Sequence, residues 1–391
     1  MALIKLTPPK DNDLTLENLY QLVSLNNPYQ SDEHSDQLFY QAMKEVIQWH
    51  QKKSNYYQAL CQQESYTECT ITSKEDLGKI PYLMAHLLKR HEILSIDVDE
   101  VDVHLTSSGT TGQKSQMFFD AWSLGSAQVM VDNIFDYYGW NTPEQEVDYL
   151  LYSYEPMPGF KVGTSYTDNF LCKYAPARNV TYALKNMGDG HEFDLFGCIR
   201  AIEKSAQDQV PLRIFGFPSF LFFTLEKIQN LSLKFSLHPE SFVFLGGGWK
   251  GHQDKVIEKS AFYPMVTDLI GIPDHRLRDG FGSVEHCVPY VECEHHQFHI
   301  PTYARVLIRD VMSFSPLGYG EVGLLNFVSP YITSSPAHSI VMGDLAKLHP
   351  GDSCPCGIQT DFFQIIGRAG NSKSKSCAVA ANEFLKESQH V

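Results

Sequence analysis

Residues 106–115, which read TSSGTTGQKS, combine glycines, hydroxyl side chains and a lysine in one short stretch. Gly109 and Gly112 allow backbone conformations and a close approach that bulkier residues forbid. Main-chain N–H groups, the hydroxyls and the Lys114 ammonium can then surround phosphate oxygens. The spacing is not the GxxxxGK[ST] Walker pattern. Because the β-rich residues 101–105 predict a strand feeding this "phosphate loop", phosphate binding is favoured over a surface turn rich in Ser and Thr.

The composition limits the partners of the chain. Its 391 residues carry a formal charge of −15, which argues against nucleic acid because phosphate backbones are bound by clustered Lys and Arg. No stretch approaches the roughly 18–20 apolar residues of a membrane-spanning helix. The first residues lack the pattern of a secretory signal. With nine scattered cysteines and no export signal, we expect a cytoplasmic protein with mostly reduced thiols.

The order of predicted elements indicates an α/β fold. Residues 14–64 are predicted helical, with one long helix over 37–60, and a short helix follows at 83–91. After the phosphate loop, predicted helices and strands alternate, which indicates a mixed or parallel sheet covered on both faces. The helices are expected at 120–138, 191–207, 220–230 and 252–261, and the strands at 149–154, 212–215, 241–245 and 271–281. Short strands at 303–308, 323–328 and 346–349 predict an antiparallel β subdomain.

The phosphate loop resembles the signature loop of the adenylate-forming ligases, which include acyl-CoA synthetases and phenylacetate–CoA ligases. Residues 244–250, FLGGGWK, resemble the glycine turn of that superfamily beside the adenine. Residues 279–285, DGFGSVE, resemble its aromatic-Gly-x-x-Glu segment. By this match Phe281 lies near adenine, and Glu285 binds Mg²⁺ or the phosphates.

Two further segments resemble the superfamily in the same order. Gly343-Asp344 is similar to the pair whose carboxylate holds the ribose hydroxyls, and Ile366-Gly367-Arg368 is similar to the hinge, where the arginine reaches ribose or phosphate. Each of these segments alone could equally be core packing, a turn or a surface charge. Five matching segments in the same order along the chain favour the resemblance. It implies ATP and Mg²⁺ as cofactors, with Lys114 and Glu285 as catalytic groups. The implied nucleotide-binding residues are Thr106, Ser107, Ser108, Gly109, Thr110, Thr111, Gly112, Gly246, Gly247, Gly248, Phe281, Gly282, Asp344 and Arg368.

Within this superfamily the chain is similar to the LuxE-type acyl-protein synthetases, through Asn27-Pro28-Tyr29, residues 79–82 and the CxCG…IGRA ending. The resemblance implies the N-terminal domain of an adenylate-forming ligase, with the usual C-terminal domain reduced to a short tail after Arg368. It also implies a long-chain fatty acid as substrate, activated with ATP as acyl-AMP, and a LuxC-like acyl reductase as partner, as in the aldehyde supply of bioluminescence. The expected domains are a helical leader (1–100), an ATP- and acyl-binding core (101–297), a β subdomain (298–366) and a hinge with acyl-acceptor tail (367–391).

Cys377 in the tail is a candidate acyl acceptor. Lys373 and Lys375 lie within four residues of its thiol and favour the reactive thiolate. In the LuxE family a cysteine near the C-terminus accepts the acyl group as a thioester, and Cys377 is the match. The alternative is a surface thiol without a role.

Two more sets of residues have both a functional and a structural interpretation. Cys293, His299, Cys354 and Cys356, with His295 as a substitute, offer soft ligands for a structural zinc ion; otherwise they are reduced residues without metal. Aromatic residues around position 217 suit an apolar acyl tunnel, or equally the packing of the central sheet. The acyl-binding candidates are Phe215, Phe217 and Phe220.

Rival functions share most of these residues. An acyl- or aryl-CoA ligase, in which free CoA accepts the acyl group, is opposed only by the short tail and Cys377. A non-catalytic subunit that keeps the fold as a scaffold is opposed by the intact phosphate loop and Glu285. A small-molecule sensor has no feature in its favour. A homo-oligomer is compatible with each of these functions.

Overall fold

The computed structural model describes residues 6–11, 13–66, 71–106, 116–157, 170–188, 190–249, 252 and 256–369. The leader begins with helices α1 (Glu17–Val23), α2 (Glu33–Lys53) and α3 (Asn55–Gln63). The prediction of one helix over 37–60 is wrong, because Ser54 is extended (φ −111°, ψ 110°) and its hydroxyl accepts a hydrogen bond from the Tyr57 N–H. A serine at this position caps α3 and therefore separates it from α2.

The second half of the leader is mostly irregular. A one-turn helix, α4 (Lys74–Leu77), precedes the short strand β1 (Leu83–Met84) and a 3₁₀ helix (Ala85–Lys89). The helix predicted over 83–91 is therefore a strand followed by a 3₁₀ turn.

A two-stranded ribbon brackets the phosphate loop. Strand β2 (Val103–Thr106) confirms the predicted strand, and β3 (Gln116–Phe119), which was not predicted, pairs with it in antiparallel fashion. Helix α5 (Ala121–Tyr137) follows as predicted and is capped by Asp120, whose carboxylate accepts from the Ser123 N–H at 2.8 Å. Residues 107–115 of the loop lie outside the described residues.

The larger sheet has seven strands in the order β10-β9-β8-β7-β4-β5-β6. Its interior strands are parallel, and the edge strands β6 and β10 are antiparallel to their neighbours. Three helices follow strands of this sheet: α6 (Leu195–Asp208), α7 (Pro218–Asn230) and α8 (Lys259–Ile270). The strands are β4 (Val147–Tyr154), β5 (Ala177–Asn186), β6 (His191–Phe193), β7 (Leu212–Gly216), β8 (Phe242–Gly246), β9 (Leu277–Phe281) and β10 (Tyr290–Val291).

Two helix predictions in this region need correction. A helix was expected over 191–207, but the first residues of this range form strand β6 and α6 starts only after Asp194. The Asp194 carboxylate caps α6 by accepting a hydrogen bond from the Gly197 N–H at 2.8 Å. The helix expected over 252–261 is wrong, since residues 256–258 are not helical and α8 runs from Lys259. The apolar residues at helical spacing, Phe262, Val266 and Ile270, lie in the later segment, and α8 buries them together with Tyr263.

The second sheet is antiparallel apart from β1, in the order β11-β15-β14-β13-β12, with β1 parallel to β14. Leader and second sheet share one hydrophobic core, in which Phe39 and Val46 of α2 pack with Phe327 and Phe363. The Trp49 indole N–H also donates to the Thr333 carbonyl at 2.9 Å. The strands are β11 (Phe298–His299), β12 (Arg305–Arg309), β13 (Gly323–Val328), β14 (Ser339–His349) and β15 (Phe362–Arg368).

Among the described residues, no helix is both long and apolar enough to cross a membrane. This finding covers α2, which is the longest helix that the structure describes at 21 residues.

Asp148 on β4 provides a test of the larger sheet. Its buried carboxylate accepts two bonds from Arg178, at 2.9 and 2.6 Å, and further bonds from Asn179 and Ser205. Burial alone raises the pKa of Asp148, but these donors outweigh it and hold the pKa below the ordinary 3.8. The carboxylate therefore stabilises the fold above pH 3.8, and this contribution is lost as the pH falls through its lowered pKa.

We expect Asp148→Asn to lower the free energy of unfolding by about 2–3 kcal/mol at neutral pH. Urea unfolding at several pH values measures this, and the difference from wild type should shrink below pH 3.8. The control Asp208→Asn removes the more exposed partner of the same arginine, at 2.8 Å, and should cost less than about 1 kcal/mol. Equal losses in the two variants would contradict the prediction.

Candidate functional site

The base of the phosphate loop is the only part of it within the described residues. Thr106 and Gln116 are directly opposite each other in the β2–β3 ladder, so the two ends of the loop are held together. Ser107, Ser108, Gly109, Thr110, Thr111, Gly112 and Lys114 lie outside the described residues, and their assigned roles stay predictions.

The glycine turn at the end of β8 lies beside the predicted adenine-binding segment. Gly246 pairs with Gly280 of β9, next to Phe281. Gly247 and Gly248 follow with φ of 75° and 68°, in the left-handed region that glycine adopts without steric cost. Because β8 and β9 are parallel, the turn and Phe281 meet at the carboxyl end of the sheet, where open α/β sheets bind ligands.

Glu285 is buried four residues after the end of β9, with a fractional exposure of 6%. The Ser283 hydroxyl donates to the Glu285 carboxylate at 2.5 Å and accepts from the Glu285 N–H at 3.2 Å. The same hydroxyl lies 3.9 Å from the Met342 sulfur on β14. Ser283 therefore fixes the Glu285 side chain and places it against the second sheet.

Asp344 and Arg368 come together across the second sheet. They are paired residues of β14 and β15, and the Arg368 Nε donates to the Asp344 carboxylate at 3.2 Å. The Asp344 side chain is mostly buried, whereas 64% of the Arg368 side chain is exposed. Burial raises the pKa of Asp344, and the nearby Glu285 carboxylate raises it further. The Arg368 guanidinium lowers this pKa but does not cancel the increase.

These contacts bring four of the predicted nucleotide residues to one place. Phe281 and Glu285 come from the larger sheet, and Asp344 and Arg368 come from the second sheet. Gly282 continues this edge, and a Cβ added there would meet no atom within 4 Å. The arrangement offers an aromatic ring, two carboxylates and an exposed cation at the mouth of the junction between the sheets.

The predicted acyl-binding aromatics do not form one surface. Phe215 is fully buried and packs with Tyr149 and Phe242 on one face of the sheet. Phe217 is also buried, and its ring lies 6.3 Å from that of the half-buried Phe220. The contacts of Phe215 are those of core packing, and acyl binding by the three residues stays a prediction.

A charged group behind Phe281, in which Glu292 is buried and Lys259 and Asp279 are partly exposed, was not predicted from the sequence. The Lys259 ammonium at the start of α8 lies 3.0 Å from the Asp279 carboxylate and also contacts Glu292. Glu292 in turn accepts from the Asp279 N–H at 2.9 Å. These bonds tie α8 to β9 two residues before Phe281. The only sequence signal was Asp279, which lies within the DGFGSVE segment.

The predicted metal ligands Cys293, His299, Cys354 and Cys356 lie together, with their ligand atoms within 4.8 Å of one another. His295, the proposed substitute, is not a member of this group. Cys377 lies outside the described residues.

A family model described as acyl-protein synthetase, LuxE, matches residues 8–386. The chain belongs to the LuxE family. It is therefore a ligase of the acyl-protein synthetase type, as the sequence predicted. Two relatives are named long-chain-fatty-acid–luciferin-component ligase. The protein from Vibrio harveyi is 22% identical over 96% of this chain and 95% of its own, and that from Aliivibrio fischeri is 21% identical over 94% of each.

Solved structures show that this LuxE-family chain has the adenylate-forming ligase fold, as predicted. An open conformation of 2-hydroxyisobutyryl-CoA ligase with 2-HIB-AMP and CoA has a TM-score of 0.65 at 13% identity, over 95% of this chain and 81% of that one. The same ligase in its thioesterification state has a TM-score of 0.65 at 14% identity, over 90% and 72%. At these identities the likeness establishes the fold alone.

We expect Lys259→Met to destabilise this LuxE-family protein by about 1–2 kcal/mol, because the substitution leaves Asp279 and the buried Glu292 as like charges without their shared cation, while the partial exposure of Lys259 to solvent limits the loss. Thermal or urea unfolding measures the change. Lys204→Met, an exposed lysine on α6, is the matched control and should stay within about 0.5 kcal/mol of wild type. A Lys259 variant as stable as this control would show that the ion pairs contribute nothing net.

Proposed function

We propose that the enzyme activates a long-chain fatty acid with ATP as acyl-AMP and then transfers the acyl group to its own Cys377 for delivery to a partner acyl reductase. Membership of the LuxE family over residues 8–386 is the observation that carries this proposal. The names of the two relatives from Vibrio harveyi and Aliivibrio fischeri supply the substrate class. The meeting of Phe281, Glu285, Asp344 and Arg368 at one edge supports the adenylation step.

In the first half-reaction, a carboxylate oxygen of the fatty acid attacks the α-phosphorus of ATP. The bond from that phosphorus to the bridging oxygen breaks, pyrophosphate leaves, and a mixed anhydride of the acid and AMP remains. Asp344 would accept hydrogen bonds from the ribose hydroxyls while Arg368 reaches ribose or phosphate. Phe281 offers its ring near the adenine, beside the turn at Gly247.

The residues present fit a divalent cation. Glu285 is a buried carboxylate held in place by Ser283, and oxygen ligands of this type suit Mg²⁺. Burial of Asp344 and the charge of the nearby Glu285 both raise the pKa of Asp344, and a cation nearby would relieve the repulsion between the two carboxylates. When bound, Mg²⁺ neutralises charge that develops on the phosphate oxygens. Lys114 of the phosphate loop would contribute a further cation to the same oxygens.

In the second half-reaction, the Cys377 thiolate attacks the acyl carbonyl of the mixed anhydride. A carbon–sulfur bond forms, the bond to the phosphate oxygen breaks, and AMP leaves with the electron pair. Lys373 and Lys375 favour the thiolate that this step needs. A cysteine of the partner acyl reductase would then take the acyl group by thioester exchange, without a further nucleotide.

Intact-mass spectrometry after incubation with Mg·ATP and a panel of carboxylic acids tests this proposal. Wild type should gain the mass of one long acyl chain, and neutral hydroxylamine should remove it because a thioester is cleaved. Cys377→Ala should keep ATP–pyrophosphate exchange and lose the acyl mass. The control Cys172→Ala, a half-buried cysteine elsewhere, should behave as wild type.

Two outcomes would overturn the acceptor assignment. An unchanged acyl adduct on Cys377→Ala places the acyl group elsewhere. Acyl-CoA formed on addition of CoA, with no acyl-enzyme at any time, makes the protein a CoA ligase instead. Failure of fatty-acid-dependent pyrophosphate exchange in wild type would contradict the adenylation step itself.

We expect Asp344→Asn to reduce kcat/KM for ATP in pyrophosphate exchange by about 10- to 100-fold, because a charged acceptor of two hydrogen bonds is lost. The pKa of Asp344 is raised, so its carboxylate becomes protonated at a pH above the ordinary value of 3.8. As the pH is lowered, we therefore expect the wild-type activity to be lost already above pH 3.8. The control Glu321→Gln changes an exposed acid in a loop of the same sheet and should leave the kinetics unchanged. Equal kinetics in both variants would remove Asp344 from the nucleotide site.

A further inference from the structure

The four clustered ligands come from both sheets of the protein. Cys293 lies just beyond β10, at the edge of the larger sheet, and His299 lies on β11 of the second sheet. Cys354 and Cys356 lie in the connection between β14 and β15. The cluster therefore sits where the edge of one sheet passes into the other.

The spacing of the ligand atoms fits a four-coordinate zinc ion. Zinc–sulfur bonds of about 2.3 Å and tetrahedral angles place two sulfurs about 3.8 Å apart, and a sulfur and an imidazole nitrogen about 3.5 Å apart. The sulfurs of Cys293 and Cys354 are 3.7 Å apart, and the Cys356 sulfur is 3.2 Å from the His299 Nε2. These two pairs need shifts of only a few tenths of an ångström to bind a metal ion, and all four ligand atoms lie within 4.8 Å of one another.

The orientation of the His299 ring points to the same ligand. Its Nδ1 lies 2.7 Å from the Thr360 carbonyl, which can only accept, so Nδ1 carries the proton. The lone pair of Nε2 then faces the three sulfurs. Imidazole ligands of metals are commonly fixed by a hydrogen bond of this kind from the other ring nitrogen.

Backbone N–H groups are directed at two of the sulfurs. The His295 N–H donates to the Cys293 sulfur at 3.4 Å, and the Ile358 N–H donates to the Cys356 sulfur at 3.4 Å. The turn that makes the second bond passes through Gly357 at φ 84°, where a larger residue would be strained. Amide donors stabilise thiolates, which are the form of cysteine that binds metal.

Three of the four ligands are shielded from solvent, and the fourth, Cys356, is half-buried. Cys293, His299 and Cys354 are buried, and Tyr29 from the leader packs its ring edge against His299 at 6.5 Å. Three thiolates and an imidazole with no open position are typical of structural zinc sites, and soft sulfur ligands disfavour Mg²⁺ and Ca²⁺.

We propose that Cys293, His299, Cys354 and Cys356 bind one structural zinc ion that joins the two sheets. One sheet carries Phe281 and Glu285 and the other carries Asp344 and Arg368, so the ion holds the two halves of the nucleotide edge at a fixed separation. This role is independent of the acyl acceptor.

Metal analysis of the purified full-length protein tests the proposal without any substrate. We expect about one zinc per chain, released by a mercurial reagent that modifies the thiols. Cys356→Ala should lose the zinc, whereas the control Cys172→Ala should retain it. Zinc-free wild type should unfold at a lower temperature than the zinc-loaded protein, and returning zinc should restore the difference.

If the variants do not fold, spectroscopy of the wild-type protein with Co²⁺ tests the same proposal. Wild type from which zinc has been removed under reducing conditions should bind Co²⁺ and develop the intense visible bands of a tetrahedral thiolate site. Two results would overturn the proposal: reduced wild type that takes up neither zinc nor cobalt, or a Cys293–Cys354 disulfide in protein isolated with its thiols trapped. Either result leaves the test of acyl transfer unaffected.

Discussion

The contact between the two sheets is the constraint on which the candidate site depends. Phe281, at the end of β9, packs its ring 5.9–6.1 Å from those of Phe298, Phe327 and Phe363 on the second sheet. His286 stacks on Phe327 at 4.5 Å, and burial lowers its pKa to about 3, so the imidazole is neutral within this apolar junction. Without that packing, Glu285 and Asp344 would belong to separate surfaces.

The junction explains why residues far apart in sequence serve one edge. Parallel pairing places Gly246 beside Gly280, while antiparallel pairing places Asp344 beside Arg368. Ser283 spans the gap, since its hydroxyl contacts both Glu285 and Met342. Strand pairing within each sheet positions the site residues of that sheet. The packing of the aromatic rings between the sheets then aligns the two sets of residues.

The sequence alone predicted the alternation of helices and strands and the family of the chain. It also predicted that the four Cys and His residues lie close together. The strands that were missed have a physical reason. Strand β5 is half exposed and mixes Arg, Asn and Thr with apolar residues, so it lacks a continuous apolar run. β15 was also missed, although its register sets the Asp344–Arg368 contact. The Lys259 ion pairs join residues whose closeness depends on the finished sheet, and no local pattern encodes them.

The β2–β3 ribbon has an energetic consequence for the segment it encloses. Closing a loop the length of residues 107–115 costs on the order of 2 kcal/mol in chain entropy plus a constant. Because Thr106 and Gln116 are already paired, this cost is met when the protein folds and not when a ligand arrives. The two ends of the segment are therefore fixed before a phosphate group arrives, and more of the contact energy of that group remains as affinity.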